Sequence, residues 1–209
     1  MRCPAFEIAK GETVLLLGES GSGKSTLLSL ICGIVAAQQG HIFVNGTELG
    51  GLSAGKRDRF RADQIGVIFQ QFNLLPYATV ADNIALPLRF APERQRRAGN
   101  MTSVITDLCT ALGLPKGAPQ MKAGTLSVGQ QQRVAVARAL IGQPPLIIAD
   151  EPTSALDAAT QAGFLSLLFH QVRSAGTSLL MVSHDARLSE HFDRVVHLTD
   201  ITSTQRNAT

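Results

Sequence analysis

Gly18-Glu19-Ser20-Gly21-Ser22-Gly23-Lys24-Ser25 fits the pattern G-x-x-x-x-G-K-[ST], and the residues on either side supply the setting that pattern needs. Before it, Glu12-Thr13-Val14-Leu15-Leu16-Leu17 is an apolar run of buried-strand length; after it, Ser25 to Cys32 carries apolar residues at helical spacing. A strand, a glycine-rich loop and a helix therefore follow one another. The glycines let backbone N–H groups turn inward around phosphate oxygens, and the helix N-terminus adds its positive dipole. Lys24 can reach the outer phosphates of a nucleoside triphosphate, and Ser25 can offer its hydroxyl to Mg²⁺. A chance glycine-rich turn is the ordinary alternative, but average residue usage gives this pattern in roughly one chain in a hundred of this length.

The composition is that of an ordinary globular domain: 209 residues, 44% hydrophobic and 17% charged. No run approaches the ~18 apolar residues of a membrane span, and Met1 to Glu7 lacks the apolar segment of a secretory signal. A cytoplasmic location is expected. Cys3, Cys32 and Cys109 are odd in number and scattered, which fits reduced thiols, with Cys32 and Cys109 filling core space on helices. The formal charge of +3 is mild, yet Arg outnumbers Lys 14 to 5 and clusters at Arg57 to Arg61 and Glu93 to Arg97. Solvated helix faces are the preferred explanation; contact with acidic lipid headgroups or an acidic partner surface is the sharper one. With one Tyr and no Trp there are few flat rings for base stacking, so no nucleic acid is expected as a partner.

Along the chain, His41 to Val44 followed by Asn45-Gly46 predicts a strand entering a tight turn. A short polar helix from Ala54 to Ala62 precedes a buried strand, Gln64 to Phe69, that empties into Gln70-Gln71. From Phe72 to Gly142 the pattern turns helical: an N-cap at Thr79-Val80-Ala81-Asp82, a helix to Phe90 kinked or ended by Pro87, a longer helix over 93–112, and another from Gln130 to Ile141. Strands then alternate with helices again: 145–149, a helix over 158–175, Ser178 to Val182, and Arg194 to Leu198, with a loose polar tail from Ile201. This predicts an α/β fold, a mostly parallel sheet flanked by helices. One domain is expected, with 1–71 and 143–209 forming the nucleotide-binding core and 72–142 an inserted helical subdomain.

Ligands in open α/β sheets bind outside the carboxyl ends of the strands. Three apolar strands each end there in polar groups: Gln70 after Phe69, Asp150 and Glu151 after Ala149, and His184 after Val182. Asp150 can hold Mg²⁺ and Glu151 can orient or deprotonate the attacking water, provided the chain turns at the strand end to bring both toward the phosphates. His184 can hold the γ-phosphate and that water in line. Taken singly, each has an ordinary alternative: a surface amide for Gln70, an acidic helix N-terminus for the carboxylates, a structural imidazole for His184. Their convergence on the edge that carries Gly18 to Ser25 favours phosphoryl chemistry.

Leu126-Ser127-Val128-Gly129-Gln130-Gln131-Gln132-Arg133 resembles the signature motif of ATP-binding-cassette (ABC) ATPases, and the other motifs follow in that family's order over nearly the whole chain. The resemblance implies a P-loop NTPase core in which Gly18 to Thr26 is the Walker A loop and Gln70 the Q-loop glutamine, a metal contact. It implies that Asp150 is the Walker B aspartate, Glu151 the catalytic glutamate and His184 the switch histidine, with Ser154-Ala155-Leu156-Asp157 as the D-loop. Phe69 to Pro76 and Asn83 to Leu88 are similar to the branch that powers lipoprotein release and macrolide efflux. The implied protein is the ATP-hydrolysing subunit of an export-type transporter, bound to separate transmembrane permease subunits around Gln70 to Leu88, on the cytoplasmic face of the membrane. It implies a head-to-tail dimer as well, in which Ser127, Gly129 and Gln130, at a helix N-terminus, face the ATP of the other subunit. A soluble ATPase of DNA repair or translation is the rival, but such relatives usually carry tandem cassettes or long coiled-coil inserts; a non-hydrolysing ATP-binding module is a third reading.

Two departures from the family pattern stand out. Val128 occupies a position where the family usually has Gly, and a β-branched residue resists positive φ. Only seventeen residues precede Gly18, and Phe6 aligns with the strand before Lys10-Gly11-Glu12 rather than with the family's adenine-stacking aromatic. That platform is therefore expected to be absent and the chain shortened.

Overall fold

The structure, a computed structural model, describes residues 1–154 and 156–203. Ala155 of the Ser154 to Asp157 stretch and residues 204–209 of the expected tail lie outside the described residues. Strands β1 (Thr13–Leu17), β4 (Ile65–Ile68), β5 (Leu146–Asp150), β6 (Ser178–Ser183) and β7 (Arg194–His197) form one sheet in the order β4-β5-β6-β1-β7. Every pairing in it is parallel. β2 (Phe43–Val44) and β3 (Thr47–Glu48) form a separate antiparallel hairpin. Its turn places Asn45 at φ 47° and Gly46 at φ 74°, which is why that dipeptide stands there.

Side chains alternate across each strand, and the alternation divides the core in two. Val14 and Leu16 of β1, Ile148 of β5 and Leu180 of β6 pack with Leu27 and Leu28 of α1 (Lys24–Ile31). Leu15, Leu17, Ile147 and Met181 face the opposite way, toward α6 (Val128–Leu140) and α7 (Ala158–Ser174). Gly66 brings α6 close to the sheet: a Cβ there would lie well inside contact distance of the Ala139 carbonyl oxygen and would also meet Ile147. Both helical cysteine sites are buried, and burial pushes the thiols of Cys32 and Cys109 up to about 11, consistent with inert filler. No helix among the described residues is long and apolar enough to cross a membrane.

Between β4 and β5 the described chain is helical. α2 (Ala54–Gln64) leads into β4, and α3 (Val80–Ala85) follows it, opened by a reciprocal box in which Thr79 and Asp82 cap each other's backbone N–H. Pro87 ends α3 and starts a 3₁₀ turn over Leu86–Arg89. The single helix expected over 93–112 is two, α4 (Pro92–Ala98) and α5 (Met101–Ala111). Gly99 takes φ 65°, and the Asn100 side chain accepts the N–H of Ser103 as a new N-cap, so a stop and a start signal sit side by side.

Three other expectations change. Arg94, expected among the solvated charges of its helix, is 1% exposed, its guanidinium donating to the carbonyls of Arg138, Ala139 and Ile141 at the end of α6. Arg97, on the same helix, donates to the Gly142 and Asp63 carbonyls. Ile201, expected to open a loose polar tail, instead closes α8 (Leu198–Ile201), and Ser203 pairs with Arg2. Residues 5–9 carry no strand pairing, although Phe6 and Ile8 pack against the α1 side of the core.

Candidate functional site

The parallel order sets the site. At the carboxyl edge, neighbouring strands deliver in turn Gln70 beyond β4, Asp150 and Glu151 at β5, His184 after β6 and Gly18 after β1. The Gly18 N–H donates to the Ser183 carbonyl, so the glycine-rich loop leaves the sheet while still attached to β6. Gly21 and Gly23 take φ 76° and 105°, conformations open to glycine, and Gly23 passes directly into α1. At Gly18 a side chain would collide with Ser22 Oγ and approach the stem of Lys24. The loop thus closes around its own lysine.

Lys24 is 8% exposed, and its Nζ donates to the carbonyls of Gly18 at 2.6 Å and Glu19 at 2.8 Å, with Glu151 Oε1 at 3.7 Å. Ser22 Oγ is buried and has no hydrogen-bond partner in the protein. An orphaned hydroxyl and a buried ammonium inside a cradle of glycine N–H groups make a donor set suited to phosphate oxygens. Glu19, Ser20, Ser25 and Thr26 stand exposed around the same loop, leaving the Ser25 hydroxyl free to face a ligand.

Glu151 supplies the turn that the strand end requires. Its N–H continues the β5–β6 ladder by donating to Val182, but its φ is 45°, the left-handed region that a residue with a Cβ enters at a cost. Glu151 Oε2 lies 2.8 Å from His184 Nδ1 while Oε1 faces Lys24, so one carboxylate joins the ends of β5 and β6 to the lysine of the glycine-rich loop. Asp150 is half-buried beside it. Burial, and then the Glu151 charge, push its carboxyl above the usual range, with Lys24 acting against the rise. Gln70 joins indirectly: its Nε2 donates to Ser154 Oγ at 3.2 Å, and that hydroxyl donates to the Glu151 carbonyl at 3.0 Å. Asp157 caps α7 by accepting the Thr160 N–H.

Ser127, Gly129 and Gln130 form a different cluster. Ser127 and Gln130 cap each other in a reciprocal box at the start of α6, and their hydrogen bonds join them to each other rather than to the glycine-rich loop. Space around Gly129 is open, and Val128 is 58% exposed. Val128 lies inside the first turn of α6 without positive φ, so this backbone never demands the glycine that the family usually places there.

Sequence reasoning passed over several side chains that hold these pieces. Asn83, fully buried, accepts the Leu75 N–H and donates to the Leu75 and Thr79 carbonyls. Gln132 donates to the Pro152 carbonyl, just beyond Glu151. Arg138 donates to the carbonyls of Phe72 and Asn73. The signal was a polar residue on an apolar helix face, visible in sequence only once the buried faces of α3 and α6 are known.

Comparison with known proteins agrees with this geometry. Residues 2–154 match the family model described as ABC transporter. An uncharacterized ABC transporter ATP-binding protein of Mycobacterium tuberculosis is 44% identical over 193 residues, 92% of this chain and 76% of that protein. The macrolide export ATP-binding/permease protein MacB of Rhodopirellula baltica is 38% identical over 195 residues, 93% of this chain and 28% of MacB. Among solved structures, the dimeric post-hydrolysis state of the ATP-binding cassette MJ0796, bound to ADP and Pi, superposes with a TM-score of 0.76 at 35% identity, covering 92% of this chain and 83% of that one. With the glycine-rich loop, the acidic strand end and the capped signature helix in one parallel-sheet frame, this chain belongs to the ABC transporter family and is one of its ATP-binding, ATP-hydrolysing domains.

Proposed function

We propose that the chain is the ATPase subunit of an export-type transporter, working as a head-to-tail dimer beneath separate transmembrane permease subunits on the cytoplasmic face of the membrane. The observation that carries this reading is the split between two half-sites: Gly18 to Thr26, Gln70, Asp150, Glu151 and His184 share one sheet edge, whereas Ser127, Gly129 and Gln130 form a capped, outward-facing helix N-terminus joined to none of them by hydrogen bonds. A second protomer brings such halves together with two-fold symmetry. The dimeric state of the MJ0796 cassette and the presence of cbiO1 of Clostridium perfringens in the transporter complex cbiONQ support a paired, membrane-associated assembly. The similarity to MacB supports export.

ATP binds with its phosphates in the Gly18 to Thr26 cradle, where Lys24 turns from the Gly18 and Glu19 carbonyls toward the outer phosphates. Ser25, Asp150 and Gln70 would hold Mg²⁺, which offsets phosphate charge and keeps most of its ligands from water and substrate. Glu151 accepts a proton from, and orients, the attacking water; His184 fixes the Glu151 carboxylate and contacts the γ-phosphate. Ser127, Gly129 and Gln130 of the partner subunit close over the triphosphate, and Asp157 lies at the junction between protomers. Residues 72–142 then act as the helical subdomain that carries the signature, with 1–71 and 143–209 as the core.

Glu151→Gln tests the division between binding and chemistry. It preserves size and hydrogen bonding, so ATP affinity should stay within a few-fold while hydrolysis falls by roughly a hundredfold or more, the scale of losing a positioned base. Sedimentation should then reveal an ATP-dependent dimer. Hydrolysis at the wild-type rate would move the catalytic carboxylate elsewhere, and co-purification from solubilised membranes identifies the permease.

A further inference from the structure

Gln70 and the signature residues lie in different parts of the molecule, and the chain between them is held in an uneven way. On one side, Gln70 reaches Ser154 and, through it, the Glu151 carbonyl. On the other, the chain from Phe72 onward is tied into the helical segment: Asn83 holds Leu75 and Thr79, Gly124 donates to Pro76, and Ala123 donates to Ala78. The junction between these two regimes is held by Arg138. Its Nη1 donates to Asn73 O at 2.6 Å and its Nη2 to Phe72 O at 2.5 Å. Two successive carbonyls converge on one guanidinium because Asn73 sits at φ 49°, a left-handed conformation tolerated by Asn better than by most residues. The planar fork sets a separate nitrogen on each of these acceptors, whereas an ammonium would have to share one nitrogen between them.

Arg138 lies near the end of α6, the helix whose first turn carries Ser127, Gly129 and Gln130. The span from Ser127 to Arg138 is about 16 Å of continuous helix. Arg94 and Gly66 hold the far end of that helix against the core, where Arg94 takes the Arg138 and Ala139 carbonyls. The signature turn and Arg138 are therefore parts of one stiff rod. Among the described residues, Arg138 is the α6 side chain that hydrogen-bonds to the Gln70–Asn73 connection.

We propose that Arg138 is a positioning residue that couples the signature end of α6 to Gln70 through its two-carbonyl grip on Phe72 and Asn73, so that engagement of the signature sets the geometry at Glu151. This rests on the roles given above to Gln70 and the signature. Arg138 touches no reacting atom; it acts by fixing where the Gln70 segment starts.

Arg138→Lys keeps the charge but loses the two-nitrogen fork that places one donor on each carbonyl, whereas Arg97→Lys makes the same exchange at a guanidinium that binds the Gly142 and Asp63 carbonyls. In the purified full-length chain, Arg138→Lys should lower kcat roughly tenfold while the affinity for a fluorescent ATP analogue changes less than about twofold; Arg97→Lys should leave both near wild type, with a similar shift in melting temperature. In the Gln70→Ala background Arg138→Lys should have little further effect on kcat, the non-additivity expected of residues acting in series. In the Glu151→Gln background, where turnover is not needed, it should weaken the ATP-dependent dimer. Additive losses with Gln70→Ala, or equal losses in Arg138→Lys and Arg97→Lys, would overturn the coupling role and leave Arg138 a stabilising residue. A wild-type kcat in Gln70→Ala alone would instead overturn the site reading beneath it.

Discussion

Lys24 occupies the place of its own ligand's partner. Its ammonium is spent on the Gly18 and Glu19 carbonyls and on Glu151, all of which an incoming triphosphate must displace or share. Lys24→Ala should weaken ATP binding by about a hundredfold, the weight of two charge-assisted hydrogen bonds, and equilibrium binding of a fluorescent ATP analogue reads it directly; unchanged affinity would remove the loop from the phosphate site. Asp150 adds a pH dependence of unusual sign. Because its folded carboxyl is raised, the ligand-free fold gains from this group at low pH and loses that gain as pH rises through the folded value. In the proposed role as a Mg²⁺ ligand Asp150 would need to be ionised, so Mg-ATP affinity should begin to fall on acidification before an ordinary aspartate would protonate. At this scale the sequence placed the loop, the carboxylates and the histidine at one sheet edge, because each follows an apolar strand. It pointed the wrong way at Arg94 and gave no role to the Arg138 and Asn83 side chains, because a polar residue on a helix reads as solvated until the face it occupies is known to be covered.

Strands and helices were legible where burial and period agreed, as in β1, β5 and β6, whose residues alternate between two covered faces. The break between α4 and α5 escaped because the helical spacing resumes after two residues, so periodicity ran across Gly99 and Asn100, where capping chemistry stops one helix and starts the next. Gly66 shows what the pattern cannot carry: a strand glycine that reads as a weak point is the place where α6 rests on β4. Gly66→Ala should cost about 3 kcal/mol through forced separation of helix and strand, measurable by denaturant unfolding. At the opposite end of the sheet, Asp193 accepts both the N–H and the hydroxyl of Thr13, and these bonds hold its carboxyl below the usual range. A lowered folded value means stability that is present above the unfolded value near 4 and is lost as pH falls through the folded one. Asp193→Asn should therefore flatten the acid limb of a stability profile below about pH 4, and an unaltered limb would assign acid unfolding to other carboxylates.

In the proposed pairing the molecule as a whole is two half-sites on one frame, and Gly129 separates what folds the chain from what would close the pair. Open space surrounds its Cα, and it lies within the first turn of α6, so an added methyl meets nothing within this protomer. Alanine is a better helix former than glycine by about 1 kcal/mol, and Gly129→Ala should be as stable as wild type or more so in thermal unfolding. ATP binding to the separate chain should also persist, since the Gly18 to Thr26 cradle makes no hydrogen bond to this turn. A triphosphate arriving on the partner's loop, however, must come within hydrogen-bond reach of the exposed N–H groups at the head of α6, and there a Cβ occupies the approach. In the Glu151→Gln background the ATP-dependent dimer should be lost or weakened at least tenfold, a difference of about 1.4 kcal/mol in association, while the monomer keeps its nucleotide. A Gly129→Ala chain that dimerises with ATP as readily as its parent would place the contact surface away from the head of α6, and the half-site pairing would have to be rebuilt on another face.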